Sequence, residues 1–279
     1  MAWILGLALL AWTGCSNAYA KTGIAAESEH QAEGYVTEGT ERYRDFVVDS
    51  VLHSDELGEI HYCVYIPDEY DGSEACSLYI TLPGYQGLYF QGAAMNIRTE
   101  DFAFEARNYH DKMIILAPQM EDWGETSARK TIALTEYFLS HYKIDTKEVY
   151  ISGYSGGGET LSLVLDSRPE LYMAALLCSS QWDGGYESVV KARTPVYFAI
   201  GESDEYYGAE SFRRAYQEIR GLYEKEGLSE TEIDSLVMLD IKPSAYFTDG
   251  GVTNQHGGGG SLFCRDGEIM GWLFGGHEG

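Results

Sequence analysis

The chain reads as an α/β protein built on a mostly parallel, twisted sheet with helices on both faces. Three observations carry that reading. Runs such as Met113-Ile114-Ile115-Leu116-Ala117 and Val196-Tyr197-Phe198-Ala199-Ile200 are continuously apolar, as strands covered on both faces must be. These runs alternate along the chain with stretches of helical periodicity, which argues for strand–helix–strand crossovers. Val149-Tyr150-Ile151-Ser152 then feeds directly into Gly153-Tyr154-Ser155-Gly156-Gly157, the pattern of a strand that turns sharply into a helix.

Residues 46–52 and 60–66 alternate as a hairpin of half-buried strands. Leu78-Tyr79-Ile80-Thr81-Leu82 is the next strand and stops at Pro83-Gly84. After the run at 113–117, Ile132, Leu139 and Tyr142 form the apolar stripe of a helix preceding the strand at Val149. Residues 159–165 begin polar and turn apolar at helical spacing, which suits a helix opening just after Ser155. A strand ending near Cys178 and the run 195–200 follow, and the segment between them is too short for a large cap domain. Phe212, Tyr216, Ile219 and Tyr223 recur at i, i+4, i+7 and i+11 with charges opposite, an amphipathic helix. Residues 236–241 are strand-like and residues 254–260 read as a Gly-rich loop. A closing helix is expected with Asp266 as its cap and Ile269, Trp272 and Leu273 on its buried face.

The turn at Ser155 is where chemistry is expected. A serine hydroxyl becomes a nucleophile only when an imidazole takes its proton and a carboxylate orients that imidazole. Carboxylates stand after the strand 195–200, in Gly201-Glu202-Ser203-Asp204-Glu205, at the carboxyl end of a parallel strand where open sheets place their sites. Glu202, Asp204 and Glu205 compete there. Of the seven histidines, His30 lies in a polar N-terminal stretch, and His53 and His61 precede the core of the sheet. His110 and His141 sit near predicted helix ends, where a surface cation is ordinary. His256, in the loop before the closing helix, and His277, three residues from the end, remain as bases; fraying favours His256.

On Gly153-Tyr154-Ser155-Gly156-Gly157, Gly201-Glu202-Ser203-Asp204, His256 and Leu82-Pro83-Gly84-Tyr85, the chain resembles the α/β-hydrolases over about residues 43 to 275. The likeness is to small single-domain members: feruloyl and acetylxylan esterases, polyhydroxybutyrate-depolymerase-like esterases and compact relatives of prolyl-oligopeptidase-type peptidases. It implies the triad Ser155, Asp204 and His256, with Asp204 favoured because its turn looks like the usual acid turn of that family. It also implies an oxyanion hole from the backbone N–H groups of Gly156 and Tyr85, or Gln86 if the register is shifted by one, because Pro83-Gly84 replaces the more familiar His-Gly. Pro83-Gly84 read by itself is a plain type II turn. Substrate is not implied, since the fold hosts many chemistries. Trp123 and Trp182 each follow a parallel strand at the expected site edge and are candidates, with Gln86, for substrate contact.

Of the 279 residues, 1–20 read as a targeting segment, 21–42 as a polar tether and 43–279 as one catalytic domain. The apolar run 4–11 has the length of a signal h-region and is too short to span a bilayer. Export is expected. Two processing sites compete: Thr13-Gly14-Cys15-Ser16 resembles a lipobox that would anchor the protein to a membrane through Cys15, and Ala18-Tyr19-Ala20 fits ordinary cleavage. Cys63, Cys76, Cys178 and Cys264 match no zinc spacing; Cys63 and Cys76 flank a turn and could pair, and Cys178 reads as a buried thiol. No metal or cofactor is implied. A net charge of −25 excludes nucleic acid as a partner and disfavours anionic polymers. The expectation is an exported serine esterase acting on feruloyl or acetyl esters of plant polysaccharide. The alternatives are a serine peptidase of prolyl-oligopeptidase type and a non-catalytic ligand-binding surface lipoprotein.

Overall fold

A computed structural model describes residues 34–275 and His277 of the chain. The expected targeting segment with Cys15, His30, and the tether as far as residue 33 lie outside the described residues.

The strands are β1 (Gly34–Thr37), β2 (Glu41–Tyr43), β3 (Phe46–Ser54), β4 (Gly58–Tyr65), β5 (Cys76–Leu82), β6 (Met113–Pro118), β7 (Ile144–Tyr154), β8 (Ala174–Cys178), β9 (Val196–Gly201) and β10 (Val237–Lys242). They lie in the order β1-β3-β4-β6-β5-β7-β8-β9-β10, with β2 also paired to β3. From β6 to β10 every pairing is parallel. The antiparallel hairpin β3–β4 joins the sheet through β4 on β6. Residues 34–42, expected in the tether, instead supply β1 and β2. Their side chains are mostly polar and exposed, but backbone pairing with β3 holds them. Short edges of this kind are also how sheets discourage edge-to-edge association.

Helices fill the crossovers: α1 (Met95–Thr99), α2 (Phe102–Glu105), α3 (Glu125–His141), α4 (Gly156–Ser167), α5 (Glu187–Ala192), α6 (Glu210–Glu226), α7 (Glu230–Leu236), α8 (Ser244–Asp249), α9 (Gln255–Phe263) and α10 (Gly267–Phe274). Successive side chains on a strand point to opposite faces, so each central strand feeds two cores. Leu78 and Ile80 of β5 share one core with Phe138, Leu161 and Phe212 of α3, α4 and α6 on one face. Tyr79 meets Phe102, Met270 and Phe274 of α2 and α10 on the other. The same alternation separates the cysteines expected to be able to pair. Cys63 belongs to the second core and Cys76 to the first, so they remain free, as do the buried thiols of Cys178 and Cys264.

The chain leaves β5 toward β6 on one side and returns to β7 on the other. Such a reversal opens a crevice beyond the carboxyl ends of β5 and β7. The descending loop after β5 and the turn into α4 therefore face each other there. Their approach depends on glycine. A Cβ on Gly157 would collide with the carbonyl oxygens of Leu82 and Pro83, and one on Gly153 with the carbonyl of Gly157.

Gly157→Ala should therefore lower stability by about 1–3 kcal/mol, since neither backbone carbonyl can give way. Gly267→Ala, where a Cβ meets nothing within 4 Å, is the matched control and should be near neutral. Urea unfolding of both variants with unchanged slope checks this; equal midpoints would show that the strand–helix approach is not tight.

Candidate active site

Ser155 stands between β7 and α4 at φ 54° and ψ −125°, a conformation in which a non-glycine residue is strained by about 1–3 kcal/mol. The turn is held from the neighbouring strand. The Ser155 N–H donates to the Cys178 carbonyl at 3.0 Å, and Ser180 Oγ donates to the Ser155 carbonyl at 2.6 Å. What this strain presents is the hydroxyl, whose Oγ lies 3.1 Å from His256 Nε2.

His256 Nδ1 lies 3.1 Å from Asp204 Oδ2, so serine, imidazole and carboxylate form one line. Asp204 is only 6% exposed. Burial pushes its carboxyl up, but the His256 ring, together with the N–H groups of Tyr207 and Tyr206, outweighs burial and holds it below the usual range. Both amides donate to Asp204 Oδ1, at 2.9 Å from Tyr207 and 3.1 Å from Tyr206. The ionised acid thus has one oxygen for the backbone turn and one for the imidazole. Of the competing carboxylates, Glu202 accepts from the N–H and Oγ of Ser244, each at 2.7 Å. His277 is engaged with the Trp272 carbonyl at 2.8 Å.

Glu205 has a place that sequence reasoning missed. Its two oxygens accept the N–H of Gln255 at 3.0 Å and of His256 at 2.8 Å, and the His256 amide leads the groups that hold its carboxyl low. The segment 254–260, expected as a loop, is in fact the start of α9. Four glycines disfavour a helix by about 1 kcal/mol each relative to Ala. Packing overrides that penalty, because Gly260 lies against the Tyr154 ring and Gly259 against Ser179. Asn254 accepts from the Gly257 N–H as the cap. Glu205 adds negative charge at the helix N-terminus, where it is favourable. His256 is thereby fixed in a helical first turn.

Aromatic rings enclose the imidazole. Tyr206 is stacked at 5.2 Å between ring centres, Tyr207 is edge-on at 5.4 Å, and the Tyr154 hydroxyl donates to the His256 carbonyl. The Tyr207 hydroxyl donates to Glu159 Oε1 at 2.7 Å. Two tyrosines directly after Asp204-Glu205 were the available sequence signal, obscured because tyrosine is so common here.

Opposite the triad, Gly84 donates its N–H to Glu100 Oε1 at 2.7 Å. Tyr85 opens a single 3₁₀ turn, Tyr85–Gly87, and Gly156 opens α4, so neither amide has an acceptor within its own element. Tyr85 and Gln86 are both exposed. Trp123 is brought to the site, its ring occupying the space where a Cβ of Gly156 would be. Trp182 is not. Its ring is buried in the α4–α6 core, stacked on Tyr186 and edge-on to Phe198, and its indole N–H donates to the Gly184 carbonyl at 2.9 Å. Among the described residues no cluster of His, Cys, Asp and Glu is arranged to hold a metal ion.

The prolyl oligopeptidase family (Peptidase_S9) matches residues 118–189, the segment from the end of β6 through the Ser155 turn to α5. Among solved structures, a thermostable esterase is similar at 21% identity and a TM-score of 0.66, over 82% of this chain and 62% of that one. Oligopeptidase B from Leishmania major is similar at 14% identity and a TM-score of 0.51, over 85% of this chain and 37% of that one. The fold is that of the α/β-hydrolases. A third likeness is Est1E from Butyrivibrio proteoclasticus, solved with ferulic acid bound, at 13% identity and a TM-score of 0.51 over 78% of this chain and 96% of that one. This chain thus spans less than two thirds of the thermostable esterase and little more than a third of the oligopeptidase. No curated protein matches the sequence. At these identities the likenesses show the fold alone.

Removing Ser155 or His256 (Ser155→Ala, His256→Ala) should each lower ester turnover by about 10³-fold or more with the fold intact. Asp204→Asn should cost less than either, and Glu202→Gln should be close to silent. Glu205→Ala should lower kcat by about 3- to 10-fold with little change in KM, because it acts on His256 through the backbone. Steady-state kinetics with a chromogenic acetate ester decides: an active Asp204→Asn beside an inactive Glu202→Gln would overturn the assignment of the acid.

Proposed function

We propose that the protein is an exported serine carboxylic-ester hydrolase that works through an acyl-enzyme on feruloyl or acetyl esters of plant polysaccharide. The observation that carries this reading is the line Ser155 Oγ–His256–Asp204, at 3.1 Å and 3.1 Å, opening onto exposed aromatic side chains. Tyr85 is 60% exposed, and Tyr206, stacked on the His256 ring, is 74% exposed. Flat rings of this kind suit an aromatic acyl group or a sugar ring. That one likeness binds ferulic acid adds support for the acyl part. The apolar run 4–11 with its two processing sites supports export.

In this mechanism Ser155 Oγ attacks the acyl carbonyl as His256 Nε2 takes its proton, and Asp204 stabilises the imidazolium. The N–H groups of Gly156 and Tyr85 receive the oxyanion of the tetrahedral intermediate. Collapse breaks the ester C–O bond, and His256 returns the proton to the departing alcohol. Water then repeats the sequence, with His256 again as base, and releases the acid from Ser155.

The Peptidase_S9 match favours one second reading, a serine peptidase. The exposed Tyr206 ring beside His256 and the likeness that binds ferulic acid favour the ester reading over it. A panel of p-nitrophenyl acetate, methyl ferulate, acetylated xylan and peptide anilides separates the readings. Ester turnover should depend on Ser155, without a jump in rate when a long-chain ester passes its micellar concentration. Trp123→Ala should raise KM for methyl ferulate about 3- to 10-fold while leaving kcat nearly unchanged, as expected for uniform binding. Cleavage confined to peptide anilides would replace esterase by peptidase.

A further inference from the structure

One ionisable group beside the site has no part in the triad. Glu100, just after α1, reaches under the loop that follows β5 with a fully buried carboxyl. Its Oε1 accepts the Gly84 N–H at 2.7 Å, whereas Oε2 is buried without any hydrogen-bond partner. Gly84 is sandwiched: a Cβ placed there would stand 3.2 Å from Glu100 Oε1, 3.4 Å from Tyr154 Cδ1 and 3.5 Å from Ser155 Cβ. The Glu100 carboxyl, the Tyr154 ring and the Ser155 Cβ therefore converge on Gly84, the residue that precedes the Tyr85 amide.

An ionised carboxylate with one bare, buried oxygen is costly, and nothing here offsets it. The titratable groups that face it are the Tyr154 hydroxyl at the end of β7 and the Cys178 thiol at the end of β8. Burial first, and then the Glu100 charge among others, pushes both upward, so both stay neutral. Among the described residues no cation stands with them. Burial accordingly raises Glu100 to about 8 despite the opposing Gly84 amide.

We infer that Glu100 is a positioning residue whose neutral carboxylic acid anchors Gly84, sets the Tyr85 amide toward the oxyanion, and keeps negative charge away from it. The inference rests on the serine esterase reading of the same site. When Glu100 loses its proton, a fixed negative charge faces the site where the oxyanion develops, and the transition state is opposed more than bound substrate. The effect belongs to kcat.

The sign for stability runs the same way. The folded-state value lies above the ordinary 4.5, so the native chain holds this proton more tightly than the unfolded one. The contribution of Glu100 is complete below about 4.5 and is lost as pH rises to about 8.

Two measurements on wild type, Glu100→Gln and Glu100→Ala test it. Wild-type kcat for p-nitrophenyl acetate should fall on an alkaline limb near pH 8. Glu100→Gln supplies the same acceptor without a titratable proton, so it should hold its plateau through about pH 9.5 and stay within about 3-fold of wild type. Glu100→Ala, which loses the anchor, should lower kcat about 10-fold or more at every pH with KM little changed. Across about pH 5 to 9 the melting temperature of wild type should fall relative to Glu100→Gln. An identical alkaline limb in Glu100→Gln, a flat wild-type profile, or a melting difference independent of pH would overturn the inference. Absence of any Ser155-dependent ester turnover would instead remove the esterase reading, and the melting difference would still decide whether Glu100 is held neutral.

Discussion

Everything at this site hangs on the close approach of β7 and α4 around Ser155. A residue at φ 54° does not hold that conformation by itself. It is held because Gly153 and Gly157 let strand and helix touch, because β8 accepts the Ser155 N–H through Cys178, and because Ser180 takes the Ser155 carbonyl. The same approach brings the Leu82 and Pro83 carbonyls against α4, which places the loop after β5 beside the nucleophile. One packing constraint thus sets both the Ser155 hydroxyl and the loop that carries the Tyr85 amide proposed for the oxyanion hole. Sheet order adds the rest, since the reversal between β6, β5 and β7 leaves the crevice in which they meet.

The base is held differently. Ser155 sits on a strand end with two neighbouring strands to brace it, whereas His256 opens a helix that its own sequence disfavours. Helix α9 exists because Gly260 and Gly259 lie close on Tyr154 and Ser179, where larger side chains would force it away. Its first turn is tied by the Glu205 carboxylate, by Asn254, and by Gln255, whose Oε1 accepts the Ser203 N–H at 2.9 Å. The acid turn and the base helix are therefore one hydrogen-bonded unit. Asp204 fixes the ring and Glu205, its neighbour, fixes the backbone that carries it.

How far the sequence revealed this follows from the range of each interaction. The parallel strands and the turn at Ser155 were legible because continuous apolar runs and a glycine pair are local signals, and the sheet they predicted is the one observed. Strands β1 and β2 were not, since Gly34–Thr37 and Glu41–Tyr43 carry no apolar periodicity and are held by pairing with β3. The helix at Gln255–Phe263 was hidden because tertiary contact outweighs glycine propensity. Trp182 misled because its position after a strand end predicts the level in the sheet but not the side to which the ring turns. Glu100 lay beyond reach altogether, being joined to Gly84 across 16 residues by a single hydrogen bond.

A site that generates an oxyanion is surrounded here by acids, and the chain as a whole carries a net charge of −25. Each nearby acid has its own remedy. Asp204 is ionised but faces the imidazole and two amides; Glu205 is ionised but sits on two amides at the start of α9. Burial raises Glu159, which takes the Tyr207 hydroxyl. Glu100 is raised further and has one oxygen with nothing to stabilise a charge. The ionised pair are those matched to the developing imidazolium and the helix terminus, and the groups nearest the nucleophile on its other sides resist ionisation. Such an arrangement keeps the local field compatible with an alkoxide intermediate, although the surface is strongly negative. Under the proposed function a neutral ester would enter that field without opposition, and the carboxylate left by hydrolysis would be repelled by it.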